Sequence, residues 1–181
     1  INYLIPATNT LVVQNESNVS GTTNSSLTVN GTLVVESENA TGAIITGTGS
    51  GLGNVRVTNR VYNPGSVVIF RGSGAQFMGN GQPTGAGITT IIDNAAGVTQ
   101  VSTTLLLLGN LTIQTGSLII SNTNLTVDGI TDIQAGDISF TSIGTTRTLT
   151  LNGDVNLDGN IVVTSGTANA NVVFGGDVTG G

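Results

Sequence analysis

Three nine-residue stretches of the chain read apolar, x, apolar, x, Gly, x, apolar, x, apolar: Leu27 to Val35, Leu105 to Ile113 and Leu149 to Leu157. Leu125-Thr126-Val127-Asp128-Gly129 opens the same frame, and Thr131 breaks it before Ile133. The frames start 78, 20 and 24 residues apart, so a step of 20 to 24 residues recurs and 78 is between three and four such steps. Alternation at period two makes each frame two short strands with one buried face, joined at a glycine that lets the chain turn without a long loop. Further aliphatic islands, Val67–Phe70, Leu118–Ile120, Ile161–Val163 and Val172–Phe174, fill the intervals. No window of ten residues carries an amphipathic 3.6 period, and Thr, Asn, Gly and Val dominate throughout, so helix is not expected.

Many short, evenly spaced strands suit an antiparallel β-sandwich or a β-solenoid. The repeating frame favours the second: a parallel β-helix with coils of 20 to 24 residues, each stacked on the last. At about 22 residues per coil the chain makes roughly eight coils. Leu27, Leu105, Leu125 and Leu149 are then expected in interior aliphatic ladders, and Asn30, Asp128 and Asn152 in a polar ladder at a turn. Residues 26–181 form the repeat region, and residues 1–25 stand outside it as a cap or an exchanged strand.

Composition narrows the chemistry. The chain has no Cys and no His, which removes disulfides, thiol chemistry, imidazole acid–base catalysis and the usual zinc sites. Arg56, Arg60, Arg71 and Arg147 are its only cationic side chains against ten acids, a net charge of -6, so no basic stripe exists for nucleic acid or anionic lipid. Only 8% of residues are charged; 29 Thr, 20 Asn and 14 Ser supply the polarity. A surface of hydroxyls and amides suits an extracellular or cell-surface protein. The longest apolar run, Leu105–Leu108, is far below the roughly 20 residues of a membrane span. The start at Ile1, with no basic-then-apolar leader, fits a processed secreted chain or a fragment.

With Leu27 to Gly31, Leu125 to Gly129, Leu149 to Gly153 and the tract Gly166 to Gly176, the chain resembles the degenerate repeats of autotransporter passenger domains and related large bacterial surface adhesins. The resemblance implies secretion to the cell surface, a right-handed parallel β-helix and an adhesive or stalk role. It departs from the family in that no translocating barrel and no Arg-Gly-Asp motif lies within these residues.

Four constellations bear on chemistry. Asp154, Asn156, Asp158 and Gly159 match the first half of a calcium loop, with Ile161 at the apolar eighth position, but Ser165 stands where a bidentate Glu is wanted. The competing reading makes the three polar residues the outward side of a strand whose Val155 and Leu157 point inward. Gly47 to Gly53 is glycine-rich without the spacing or the Lys-Ser/Thr pair of a phosphate loop, and reads as a turn. Asp128, Asp132 and Asp137, near Phe140, are the other acidic group; a carbohydrate-cleaving pair among them is set against plain outer-turn acids, and the latter is preferred. Thr28, Thr126 and Thr150 share a frame position as an ice-binding file would, but Leu106 interrupts it. Seven Asn-x-Ser/Thr triplets begin at Asn15, Asn18, Asn24, Asn30, Asn39, Asn110 and Asn124; a chain this rich in Asn, Ser and Thr produces such triplets by chance.

The expected function is therefore a secreted or cell-surface structural and adhesive module without enzymatic activity or a resident cofactor, calcium being the one ion its residues suggest. Its partners are a ligand on a host or neighbouring cell surface, or copies of itself. The alternative is a filament or sheath subunit, assembled by end-to-end stacking or by exchange of residues 1–13, whose apolar Ile1 to Ile5 and Leu11 to Val13 could add to a neighbour's edge.

Overall fold

The computed structural model describes residues 1–45, 53–100, 106–121, 123–141, 146–163 and 169–180. These residues form a parallel β-solenoid of about seven turns with about 23 residues per turn and no helix. Coil 1 contains β1 (Asn2–Ile5), β2 (Thr10–Val13) and β3 (Val19–Ser20); coil 2 contains β4 (Ser26–Val29), β5 (Thr32–Val35) and β6 (Val55–Arg56). Coil 3 contains β7 (Asn59–Tyr62), β8 (Val67–Phe70) and β9 (Gln76–Phe77). In coil 4 the second and third strands merge into β10 (Thr89–Gln100), and in coil 5 β11 (Leu106–Leu108) precedes the likewise merged β12 (Asn110–Ile120). Coil 6 contains β13 (Leu125–Val127), β14 (Thr131–Ile133) and β15 (Asp137–Phe140), and coil 7 β16 (Arg147–Leu151), β17 (Val155–Leu157) and β18 (Asn160–Val163). A last part-turn adds β19 (Ala170–Phe174) and β20 (Val178–Thr179).

Every strand pairing among the described residues is parallel, which rules out the antiparallel sandwich. The ladder includes the first coil, whose β1 and β2 pair with β4 and β5 of the same chain. Register stacks like on like. Val13, Val35, Phe70, Ile92, Ile113, Ile133 and Leu157 form one inward file down the second face. All but Leu157 are at most 3% exposed. Each such side chain taken from water contributes about 2 kcal/mol, which is how a chain with 3% aromatic residues builds a continuous core.

Three expectations need correction. The coils number about seven because the second is enlarged: Asn30 and Asn63, neighbours across coils, are 33 residues apart where other such pairs are 20 to 24 apart. The extra segment, 36–54, lays Ile44 beside Val55 and donates the N–H groups of Ala43 and Ile44 to Phe77 and Met78, a further rung between β6 and β9. The frame at Leu105 is slipped by one residue. Leu105 lies outside the described residues; Leu106 pairs with Leu125 and Leu108 with Val127, so Leu106 and Leu108 are inside and Leu107 faces outward. Four consecutive leucines carry no alternation to mark a face, and the turn before Gly129, where Asp128 is the extra residue, absorbs the difference. Finally, the leucines fall in two sheets: Leu27 stacks between Tyr3 and Arg60, whereas Leu125 and Leu149 pair with each other. The first face is interrupted after β7, where Arg60 occupies the inward file and its Nη1 donates to the carbonyls of Ile45 (3.1 Å) and Val57 (2.6 Å). No described helix is long and apolar enough to cross a membrane.

Candidate functional site

The enlarged second coil borders a concavity. The turn between β2 and β3 carries Gln-Asn-Glu-Ser-Asn, with no apolar residue to hold an extended strand. It folds back through a bond from Ser17 N–H to the Gln14 carbonyl (3.0 Å), with Glu16 at φ 68°. Directly above it, residues 37–42 leave the core. Asn39 Oδ1 accepts from the N–H (3.0 Å) and hydroxyl (2.7 Å) of Thr41, and Gly42 N–H closes onto the Asn39 carbonyl (2.9 Å). Between these turns lies a cleft of about 460 Å³ lined by Asn15, Glu16, Ser17, Asn18, Ser37, Glu38, Asn39, Gly53 and Arg56.

Asn54, fully buried, joins the two walls. Its Nδ2 donates to the carbonyls of Gln14 (2.8 Å) and Ser17 (2.9 Å), and its Oδ1 accepts from the N–H groups of Glu36 (2.7 Å) and Ser37 (2.6 Å). One side chain thus fixes both walls, as a preorganised site requires. The outer wall is held from coil 3: Glu38 Oε1 accepts from the Ser73 hydroxyl (2.8 Å) and the Gly74 N–H (2.6 Å). These bonds, Ser73 first, hold its carboxyl below the usual carboxylate range. Next to it, Arg71 Nη2 and Glu36 Oε1 form an exposed ion pair (2.8 Å).

The residues singled out from sequence are distributed otherwise. Asp128, Asp132 and Asp137 follow one another along coil 6, and each accepts an amide from coil 7: from Asn152 (2.8 Å), Asn156 (2.9 Å) and Asn160 (3.1 Å). Asp132 also accepts from Gln134 and Asp137 from Ser117, so the three carboxylates belong to separate rungs. Phe140, the aromatic nearest them, is 2% exposed and packs in the core. The polar turn ladder consists of two rungs, Asn63 to Asn30 (2.6 Å) and Asn152 to Asp128. Thr126 and Thr150 are adjacent, flanked by Leu107 and Val173, while Thr28 stands in another sheet between Leu4 and Val61. Asp154, Asn156 and Asp158 alternate along and beside β17, Asn156 donating to Asp132 and Asp154 Oδ1 accepting from Asp177 N–H (3.2 Å). Their span, four extended residues, is about 13 Å. Ser165 and residues 47–52 of the glycine tract lie outside the described residues; Gly53, its last glycine, lines the cleft. No group of three His, Cys, Asp or Glu fit for a metal ion occurs among the described residues.

Sequence reasoning did not assemble the cleft. Its residues come from three segments, and the one signal of it is that three of the seven Asn-x-Ser/Thr triplets, at Asn15, Asn18 and Asn39, meet there. No protein-family model, curated protein or solved structure matches this chain.

Proposed function

We propose that the chain is a structural and adhesive module of the cell surface or extracellular space, acting by binding and without an enzymatic step. The observation that carries this reading is the polar cleft on the flank of a rigid ladder, held open by the saturated Asn54. The outer acids support it too, since they serve as rungs between coils and do not converge on one point as a hydrolytic pair must. Beads coated with the chain should be retained by intact cells or by their extracted surface polymers well above beads coated with an unrelated acidic β-protein. Equal retention defeats the reading, as does release of reducing ends from those polymers by the chain.

A second reading, a subunit that polymerises by end-to-end stacking or strand exchange, draws on the like-on-like register of the ladder, in which Leu149 sits on Leu125 and Ile133 on Ile113, a pattern that a coil of another copy could continue. Light scattering with negative-stain microscopy, with and without residues 1–13 and in calcium or chelator, separates the two readings. Rod-like monomers support the adhesive module. Fibres that vanish on truncation support the subunit, and a calcium requirement for them would assign the ion to Asp154, Asn156 and Asp158.

A further inference from the structure

We propose that the cleft between coils 1 and 2 is a binding site for a neutral, polyhydroxylated saccharide. The proposal rests on the adhesive reading and names the class of ligand. The lining narrows the choice by exclusion. Among the described lining residues, amides, hydroxyls, carboxylates, one guanidinium and a glycine border the space and none is aliphatic or aromatic, so a wholly apolar ligand would leave polar groups unpaired. Two carboxylates, Glu16 and Glu38, disfavour phosphate, sulfate and other anions. A metal ion is poorly served, because the cleft holds two acids and one of them already accepts two bonds from coil 3.

What remains is a ligand whose own groups both donate and accept. Sugar hydroxyls do so, and Asn and Ser side chains answer them in kind while carboxylates accept from adjacent hydroxyls. Asn18 and Glu16 lie on the exposed inner turn, and Asn39 and Ser37 face them from the next coil. A cleft of about 460 Å³ falls within the range of small-ligand sites. Asn54 fixes the walls before binding, so little ordering remains to oppose association. Without an aromatic platform the affinity for a single disaccharide should be weak, with a Kd of about 1 mM.

The test uses the 15N-labelled chain from a host that does not glycosylate asparagine, titrated with lactose, N,N′-diacetylchitobiose and, as a cationic comparator, trilysine. One of the disaccharides should shift the amide signals of Asn15–Asn18, Ser37–Asn39 and Gly53 in a saturable manner. The exposed-site variants Asn18→Ala and Glu16→Gln should weaken that binding roughly tenfold while leaving the thermal midpoint unchanged. Absence of saturable shifts from both sugars, shifts confined to another face, or occupation by trilysine in their place would each overturn the proposal. The bead assay keeps the two failures apart. Adhesion that survives both variants removes the cleft and leaves the adhesive reading standing; sugar binding by a chain that adheres to no surface does the reverse.

Discussion

Coils 2 to 4 and the last three turn the corner next to the third face by different means. In coils 2 to 4 buried amides fill it: Asn54, Gln76 and Asn94 are at most 1% exposed. Gln76 Nε2 donates to the carbonyls of Val35 (3.0 Å) and Ser37 (3.2 Å), and Asn94 Nδ2 donates to Gly74 O and to Gln76 Oε1 (both 2.9 Å), so the amides bind coil to coil. In coils 5 to 7 glycines stack instead. A Cβ on Gly116 would collide with the Asn94 carbonyl, one on Gly136 with Gly116, and one on Gly159 with Gly136. Either solution satisfies the backbone at a sharp bend. The amide solution tolerates an enlarged coil, because side chains can reach across a gap; the glycine solution requires closely spaced, regular coils. The cleft accordingly lies in the amide half.

The contrast is sharpest in substitution. Asn54→Ala should cost about 4 kcal/mol, since four backbone groups lose a hydrogen bond together, of which the Gln14 carbonyl and the Glu36 N–H keep one each, to Ser17 N–H and the Val13 carbonyl, and urea titration should show it as a lowered midpoint. Gly116→Ala should cost about 3 kcal/mol, from backbone collision and from a φ of 73° that L residues rarely adopt. If Asn54→Ala proves nearly neutral, the amides are filler and the comparison fails.

At the outer rungs Asn156→Asp would set a carboxylate against Asp132, at a cost of about 1 kcal/mol near neutral pH. Thermal melts in low and high salt should show the penalty as a lowered midpoint that shrinks on screening, and equal midpoints would mean that the rung does not exist. Thr131 is fully buried in the inward file between Leu111 and Val155, and its hydroxyl has no partner among the described residues. Thr131→Val keeps the shape and should stabilise by about 1 kcal/mol, seen as a higher thermal midpoint. The smallest effect concerns Glu38. Its carboxyl is held low in the folded chain, so its bonds to Ser73 and Gly74 contribute above the ordinary carboxylate pKa and are lost as pH falls through the lowered one. Glu38→Gln should flatten that acid-side change alone.

The glycine half is also the half that can be read from sequence. Leu125, Leu149, Gly129 and Gly153 repeat because close coils demand aliphatic files and a residue without Cβ at the same step. The amide half shows the frame once, at Leu27 to Val35, and then loses it. Arg60 and Gln76 occupy positions at which the frame calls for aliphatics, and the 36–54 segment lengthens the coil; together they produce the interval of 78 residues between frames. The run Leu105 to Leu108 misled by excess, being apolar on both faces. The cleft stayed hidden because its parts are held together by Asn54, whose bonds to Gln14 and Ser17 span 40 and 37 residues.

The backbone hydrogen bonds of a parallel solenoid run along its long axis, which fixes how it would answer a mechanical pull. Tension along that axis would break one coil's bonds at a time, like a zipper, while tension across it would shear a whole strand at once. Each coil released would add about 23 residues, roughly 75 Å of slack, before the next was stressed. A tether built this way would lengthen in steps under a tug and keep its remaining coils folded.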